Sequence, residues 1–173
     1  WVPLEDIAPV MARSAVAAED ARFCQHWGID VQAIRAAIAE GGQRGGSTLS
    51  QQVVKNVFLW QGRSWGRKAV ETLMTPLVEA IWSKKRILEV YLNVAEMDEG
   101  VFGAEAAARH YFGVGPDKLS ARQAALIAAV LPNPHHNILI SSNSTKPSFT
   151  IQHFPAQLSR TTQYIVHHHH LYG

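Results

Sequence analysis

The chain has 173 residues, 47% of them hydrophobic and 17% charged, enough for one compact domain with its own core. A formal net charge of +2 excludes a binder whose affinity rests on neutralising many phosphates, so no nucleic-acid partner is expected. Cys24 is the single cysteine, which rules out an intrachain disulfide or an all-thiolate metal centre but leaves the redox compartment open, and no apolar run approaches the roughly 20 residues of a membrane span, so a membrane anchor is expected to be absent from this chain.

Between residues 4 and 20, Ile7, Val10, Met11, Ala15 and Ala18 recur at intervals of three or four, which predicts a helix ending near Glu19. Gly28 breaks the pattern, and Asp30 is suited to cap a second helix running through Ile34 to Ala39. Gly41, Gly42, Gly45 and Gly46 crowd around Arg44 and predict a flexible loop. Ser47 or Thr48 then caps a helix with Leu49, Val53 and Val57 on one stripe. After a turn near Gln61 and Gly62, a helical pattern runs from about 65 to about 94 with Leu77, Ile81, Leu88 and Leu92 on one face. Pro76 must begin, kink or split it, because proline lacks an amide hydrogen and crowds the preceding turn. Helices are expected over 101–111 and 120–131, the second stopped by Pro132 and Pro134. With no convincing strand pattern before Pro132, the expected fold is mainly α. Beyond Asn137, Ser and Thr cluster, Asp117 is already the last acidic residue, and residues 167–170 are all His. A domain over 1–137 is therefore expected to precede an atypical tail over 138–173.

Three local features carry chemistry. Glu19 and Asp20 are adjacent, and neighbours on a helix point about 100° apart, so at most one aims into a given cleft. Such a pair reads either as a solvated helix end or as a catalytic carboxylate. The glycine turn and helix start at 45–52 offer free amides to an anion, or simply an ordinary capped helix; no Lys follows the second glycine, so this is not a nucleotide phosphate loop. Between 55 and 86 lie Lys55, Arg63, Arg67, Lys68, Lys84, Lys85 and Arg86 against only Glu71 and Glu79. That stretch reads as a solvated face with Arg67 and Lys68 paired to Glu71, or as a clamp for a pyrophosphate or acidic lipid head groups.

Four strings in order are more specific than any one of them. Glu-Asp-Ala-Arg-Phe-Cys-Gln-His-Trp-Gly-Ile-Asp at 19–30 resembles the first motif of the peptidoglycan glycosyltransferases that polymerise lipid II. Gly-Gly-Ser-Thr-Leu-Ser-Gln-Gln at 45–52, Arg-Lys-Ala-Val-Glu at 67–71 and Lys-Lys-Arg-Ile-Leu-Glu-Val-Tyr-Leu-Asn at 84–93 resemble the second, third and fourth. The segments at 58–65 and 129–134 are similar to the monofunctional biosynthetic transglycosylases, and the likeness covers about 2–134. The resemblance implies a lysozyme-like helical fold working at the periplasmic face of the bacterial inner membrane.

Residue by residue, it implies that Glu19 is the general base toward the acceptor 4-hydroxyl. Glu71 would act near the pyrophosphate, directly or through a divalent cation such as Mg2+. Lys55, Arg63 and Lys68 would hold the phosphates, and Ser47 and Gln51 would line the cleft. Lipid II, the growing glycan, the membrane surface and cell-wall synthesis proteins are the implied partners; no organic cofactor is. Two departures stand out: the family often carries Arg or Lys where Ala36 stands, beside Arg35, and residues 137–173 lack the usual arginine-containing final helix. The His run reads as incidental or tag-like in preference to a metal site, which needs fixed geometry. Competing readings are a lysozyme-like glycan-cleaving enzyme, which needs Glu19 protonated, and a non-catalytic module that binds anionic lipid through the basic stretch.

Overall fold

A computed structural model describes residues 1–39, 46–60, 62 and 64–131. Among them are seven α-helices and one two-stranded sheet, in agreement with a mainly α fold. Helix α1 (Pro9–Glu19) begins on a proline whose fixed φ suits a first helical position, and it ends at Glu19 as the periodicity predicts. Its Met11 and Ala15 are fully buried and pack on α7 (Ala121–Val130), where Ala124, Ile127 and Ala128 form the facing surface. Helix α2 (Val31–Ala39) is capped by Asp30, whose Oδ1 accepts from the Gln32 and Ala33 amides at 3.0 and 2.9 Å.

Helix α3 (Leu49–Phe58) runs through the centre, packed against α4 (Trp65–Ile81) and α5 (Lys84–Val94). Thr48 closes a capping box with Gln51: its hydroxyl accepts from the Gln51 amide at 3.2 Å, and Gln51 Oε1 accepts from the Thr48 amide at 3.0 Å. Leu49, Val53 and Val54 are fully buried, whereas Val57 emerges at the last turn, 42% exposed.

The single helix expected over 65–94 is two helices. Pro76 sits inside α4 without ending it, and the chain breaks at Trp82, after which Ser83 caps α5 by accepting from the Arg86 amide at 3.2 Å. The proline costs one backbone hydrogen bond, which the buried face formed by Glu71, Thr75 and Val78 outweighs. Because α4 and α5 are separate, the expected common face does not exist: Leu77 and Ile81 are exposed while Leu92 is buried. The other correction is a short antiparallel hairpin, β1 (Glu96–Asp98) and β2 (Val101–Phe102), with Glu96 opposite Phe102 and Asp98 opposite Val101. Strands of three and two residues are too short to show alternation. Helix α6 (Gly103–Phe112) and α7 fall where expected, and Ser120 and Gln123 make a second capping box. At the start of the chain, Asn93 exchanges two hydrogen bonds with the Val2 backbone (2.8 and 2.9 Å) and Glu89 Oε2 accepts from the Leu4 amide (3.0 Å). The Pro132 to Pro134 segment, the tail over 138–173 and its His run lie outside the described residues.

Candidate active site

The end of α1 and the start of α3 meet through the adjacent carboxylates, which separate as their 100° offset requires. Asp20 leaves the helix and is buried: Oδ1 lies 2.8 Å from His26 Nε2, and Oδ2 accepts from the Leu49 amide at 3.1 Å. It is therefore neither solvated nor available to substrate. It also answers the question left open at 45–52. The Leu49 and Gln51 amides at the start of α3 are taken by Asp20 and Thr48, so the described part of this helix start reads as an ordinary capped helix. Glu19, half-buried, turns the other way, and the side-chain amide of Gln52 donates to its Oε2.

Burial pushes the Glu19 carboxyl above its ordinary range; the Gln52 hydrogen bond and the Lys55 ammonium oppose that rise, and Asp20 adds to it. Lys55, one turn along α3, is shifted down, chiefly by burial. Glu71 and Glu19 oppose that shift, while Arg67 and Lys68 reinforce it. Lys55 thus feels the charge of both carboxylates. Beneath them on α5, the buried Tyr91 phenol is pushed up by burial and by Glu19.

Glu71 is 2% exposed, which corrects the picture of a solvated helix face. Lys68 Nζ bonds its Oε1 and also donates to Ser47 Oγ at 2.9 Å, while Arg67 Nη1 lies 3.9 Å from Oε2. Arg67 Nε is buried without a hydrogen-bond partner. Of the residues singled out in the sequence, Glu19, Lys55, Glu71, Lys68 and Ser47 are linked in one constellation. Gln51 is buried in the capping box, which assigns it to the frame and makes Gln52 the glutamine on the Glu19 side. Arg63 lies outside the described residues.

Sequence reading also passed over the support behind the site. Gly28, at φ +79°, lies so close to α4 that a Cβ there would stand 2.5 Å from Thr75 Cγ2 and 3.1 Å from Glu79 Cγ. Glu79 accepts from Ser50 Oγ and from Lys84 Nζ, and Lys84 also donates to the His26 carbonyl at 2.8 Å and lies 4.4 Å from the Phe23 ring centroid. A serine at the second position of α3 and a lysine at the first of α5 carry no sequence signal of that pairing. A surface cavity of about 330 Å3, lined by Trp1, Asn93, Phe102 and Arg109 among others, includes none of the constellation.

Glu71 has Oε1 bonded to Lys68 and Oε2 3.9 Å from Arg67, so a divalent cation at this carboxylate would stand beside two fixed positive charges. Among the described residues, Asp20, His26 and Asp30 bring three ligand atoms within 4.8 Å of one another. Asp20 is already committed to His26 and Leu49, and Asp30 to two amides with the Arg22 guanidinium 3.6 Å from Oδ2.

Comparison with known proteins adds an independent line. The sequence model of the family described as Transglycosylase matches residues 1–155. The chain is 68% identical over 134 residues to a biosynthetic peptidoglycan transglycosylase of Jannaschia sp. (strain CCS1), a match covering 78% of this chain and 56% of that protein. It is 57% identical over 139 residues to proteins of the same description from Yersinia pestis (strain Pestoides F) and Yersinia pseudotuberculosis serotype I (strain IP32953), covering 78% of this chain and 58% of each. The chain thus spans a little over half the length of these curated relatives.

Proposed function

This chain belongs to the transglycosylase family, and on that premise we propose that it is the polymerising domain of a peptidoglycan glycosyltransferase, joining lipid II units into linear glycan at the periplasmic face of the inner membrane. Glu19 takes the proton from the 4-hydroxyl of the acceptor N-acetylglucosamine. The freed oxygen pair attacks the anomeric carbon of the donor N-acetylmuramic acid from the face opposite the leaving group. The bond to the pyrophosphate breaks, the configuration inverts, and undecaprenyl pyrophosphate departs with the electron pair.

The observation that carries this reading is the pairing of Glu19 with a cation cluster through a shared lysine. A base works best with its pKa drawn toward the operating pH, and burial draws the Glu19 carboxyl upward. Such a base supplies about 100- to 10,000-fold. Lys55, Lys68 and Arg67 gather around Glu71, where fixed cations stabilise the charge that builds on the departing pyrophosphate. Glu71 holds that cluster together, Ser47 steadies Lys68, and Arg63 is assigned to the same phosphate-binding group. No step runs through a divalent cation.

The outer face of α4 supports contact with the membrane surface that presents lipid II. Leu73, Leu77 and Ile81 are 73%, 62% and 79% exposed and stand four residues apart on one stripe, with Trp65 at its start. No helix among the described residues is long and apolar enough to cross a membrane.

Glycan cleavage is the second reading, favoured by the same upward shift of Glu19. Purified protein given lipid II separates the two: polymer formation that Glu19→Gln abolishes supports the glycosyltransferase, and shortening of preformed glycan supports the hydrolase. Normal polymerisation by the Gln variant removes Glu19 from the mechanism. Lys55→Ala and Arg63→Ala are expected to lower turnover, and unchanged kinetics in both would disprove the phosphate-binding assignment.

A further inference from the structure

We propose that Gln52 is a positioning residue that holds Glu19 by Oε2, so that Oε1 is the atom that takes the proton from the acceptor hydroxyl. The proposal rests on Glu19 being the base. Gln52 and its neighbour Gln51 leave α3 about 100° apart. Gln51 is consumed by the capping box with Thr48, and Gln52 is carried round to the Glu19 side, where its amide donates to Oε2.

Donor and acceptor stand on elements that are clamped together. Asp20, the residue after Glu19, caps the first amide of α3 through Leu49, three positions before Gln52. The end of α1 therefore cannot move away from α3 without breaking that buried bond. A carboxylate fixed at one oxygen loses its freedom to rotate and presents the other in one direction, which is the preorganisation a proton acceptor needs.

Among the described residues, the charged and titratable groups that act on Glu19 or feel its charge are Asp20 beside it, Lys55 on α3 and Tyr91 on α5. Lys55 is divided between Glu19 and Glu71 and, on the reading above, turns to the phosphates when the donor arrives. Gln52 is neutral and has no such competing attraction. It remains on Glu19 through the reaction, favouring the ionised carboxylate against the effect of burial.

The test is the pH dependence of lipid II polymerisation by wild type, Gln52→Leu and Glu19→Gln. Leu keeps the bulk and removes the donor. In Gln52→Leu the acid limb of kcat is expected to move up by about one pH unit, the scale of a hydrogen bond to a charged group. Turnover near the limb then falls about ten-fold and recovers at alkaline pH, with KM for lipid II little changed. Infrared titration of the Glu19 carboxyl, using Glu19→Gln as the blank, reads the same upward move without activity. A uniform loss at every pH with the limb in place, or an unmoved infrared titration, overturns the proposal. If Gln52→Leu does not fold, Gln52→Met carries the same expectations. Normal polymerisation by Glu19→Gln would instead remove Glu19 as the base on which the proposal rests, so the two failures are distinguishable.

Discussion

Replacing Gly28 by alanine brings two separable costs. The left-handed backbone at φ +79° disfavours any Cβ by about 1–2 kcal/mol, and the Cβ would stand 2.5 Å from Thr75 Cγ2, an overpacking worth about 1–3 kcal/mol more. Gly100 isolates the first cost: its φ is +73° and an added Cβ meets nothing within 4 Å. Urea unfolding at constant m should therefore place Gly28→Ala about 2–5 kcal/mol below wild type and Gly100→Ala about 1–2 kcal/mol below. Thr75→Ser removes the clashing methyl and keeps the hydroxyl that donates to the Glu71 carbonyl at 2.7 Å. Combined with Gly28→Ala it should recover much of the steric part, giving a coupling of about 1–2 kcal/mol in a double-mutant cycle. Polymerisation should fall with Gly28→Ala and not with Gly100→Ala, because the Gly28 loop carries His26, which binds Asp20 beside Glu19, the proposed base. Equal losses of stability at the two glycines, or strict additivity with Thr75→Ser, would refute the steric argument.

Three further outcomes are expected. Glu19→Gln should raise the melting temperature at pH 8: the folded carboxyl lies above its ordinary range, so its ionised form carries a burial cost that is absent at acid pH and grows as pH rises through the shifted value. A Gln variant less stable than wild type at pH 8 would count against that sign. Lys68→Met should cost about 1–2 kcal/mol by leaving Glu71 short of a partner, less than for a fully buried pair because the Lys68 side chain is 41% exposed, and Glu71→Gln in the same chain should restore part of it. Glu89 is held low chiefly by the Leu4 amide, so its contribution is present above the ordinary carboxylate range and is lost as pH falls through the depressed value. Hydrogen exchange at the Leu4 amide should accelerate over that acid window relative to a buried core amide, and unchanged protection would refute the tether.

The helices were legible where the signal is local. Asp30 and Thr48, the latter one of two candidates with Ser47, cap helices because short polar side chains reach the first free amides, and the apolar spacing of α1 ends where the helix ends. Pro76 neither begins nor splits α4 because a single missing hydrogen bond is a local cost, while the burial of Thr75 and Val78 that retains the helix is a tertiary gain. Glu19 and Glu71 were legible only through the ordered motifs. Local spacing could not tell which of Glu19 and Asp20 turned into the frame, nor which of Gln51 and Gln52, because each choice depends on the partner brought by another element: Leu49 for Asp20, and Thr48 for Gln51.

Helix α4 answers to two unrelated demands on opposite sides. Its inner side is fixed by position: Glu71, Thr75 and Val78 each meet particular atoms, and a change of one methyl is felt. Its outer side, Leu73, Leu77 and Ile81, is largely exposed among the described residues and is constrained only in kind. Swapping those three among Leu, Ile, Met and Phe should leave folding, glycan synthesis and lipid contact alike intact. Replacing them with Gln or Lys should spare the fold and chemistry in detergent yet slow reaction on bilayers, so a library built on this helix would yield two classes of mutant, separable by whether the substrate is offered in micelles or vesicles.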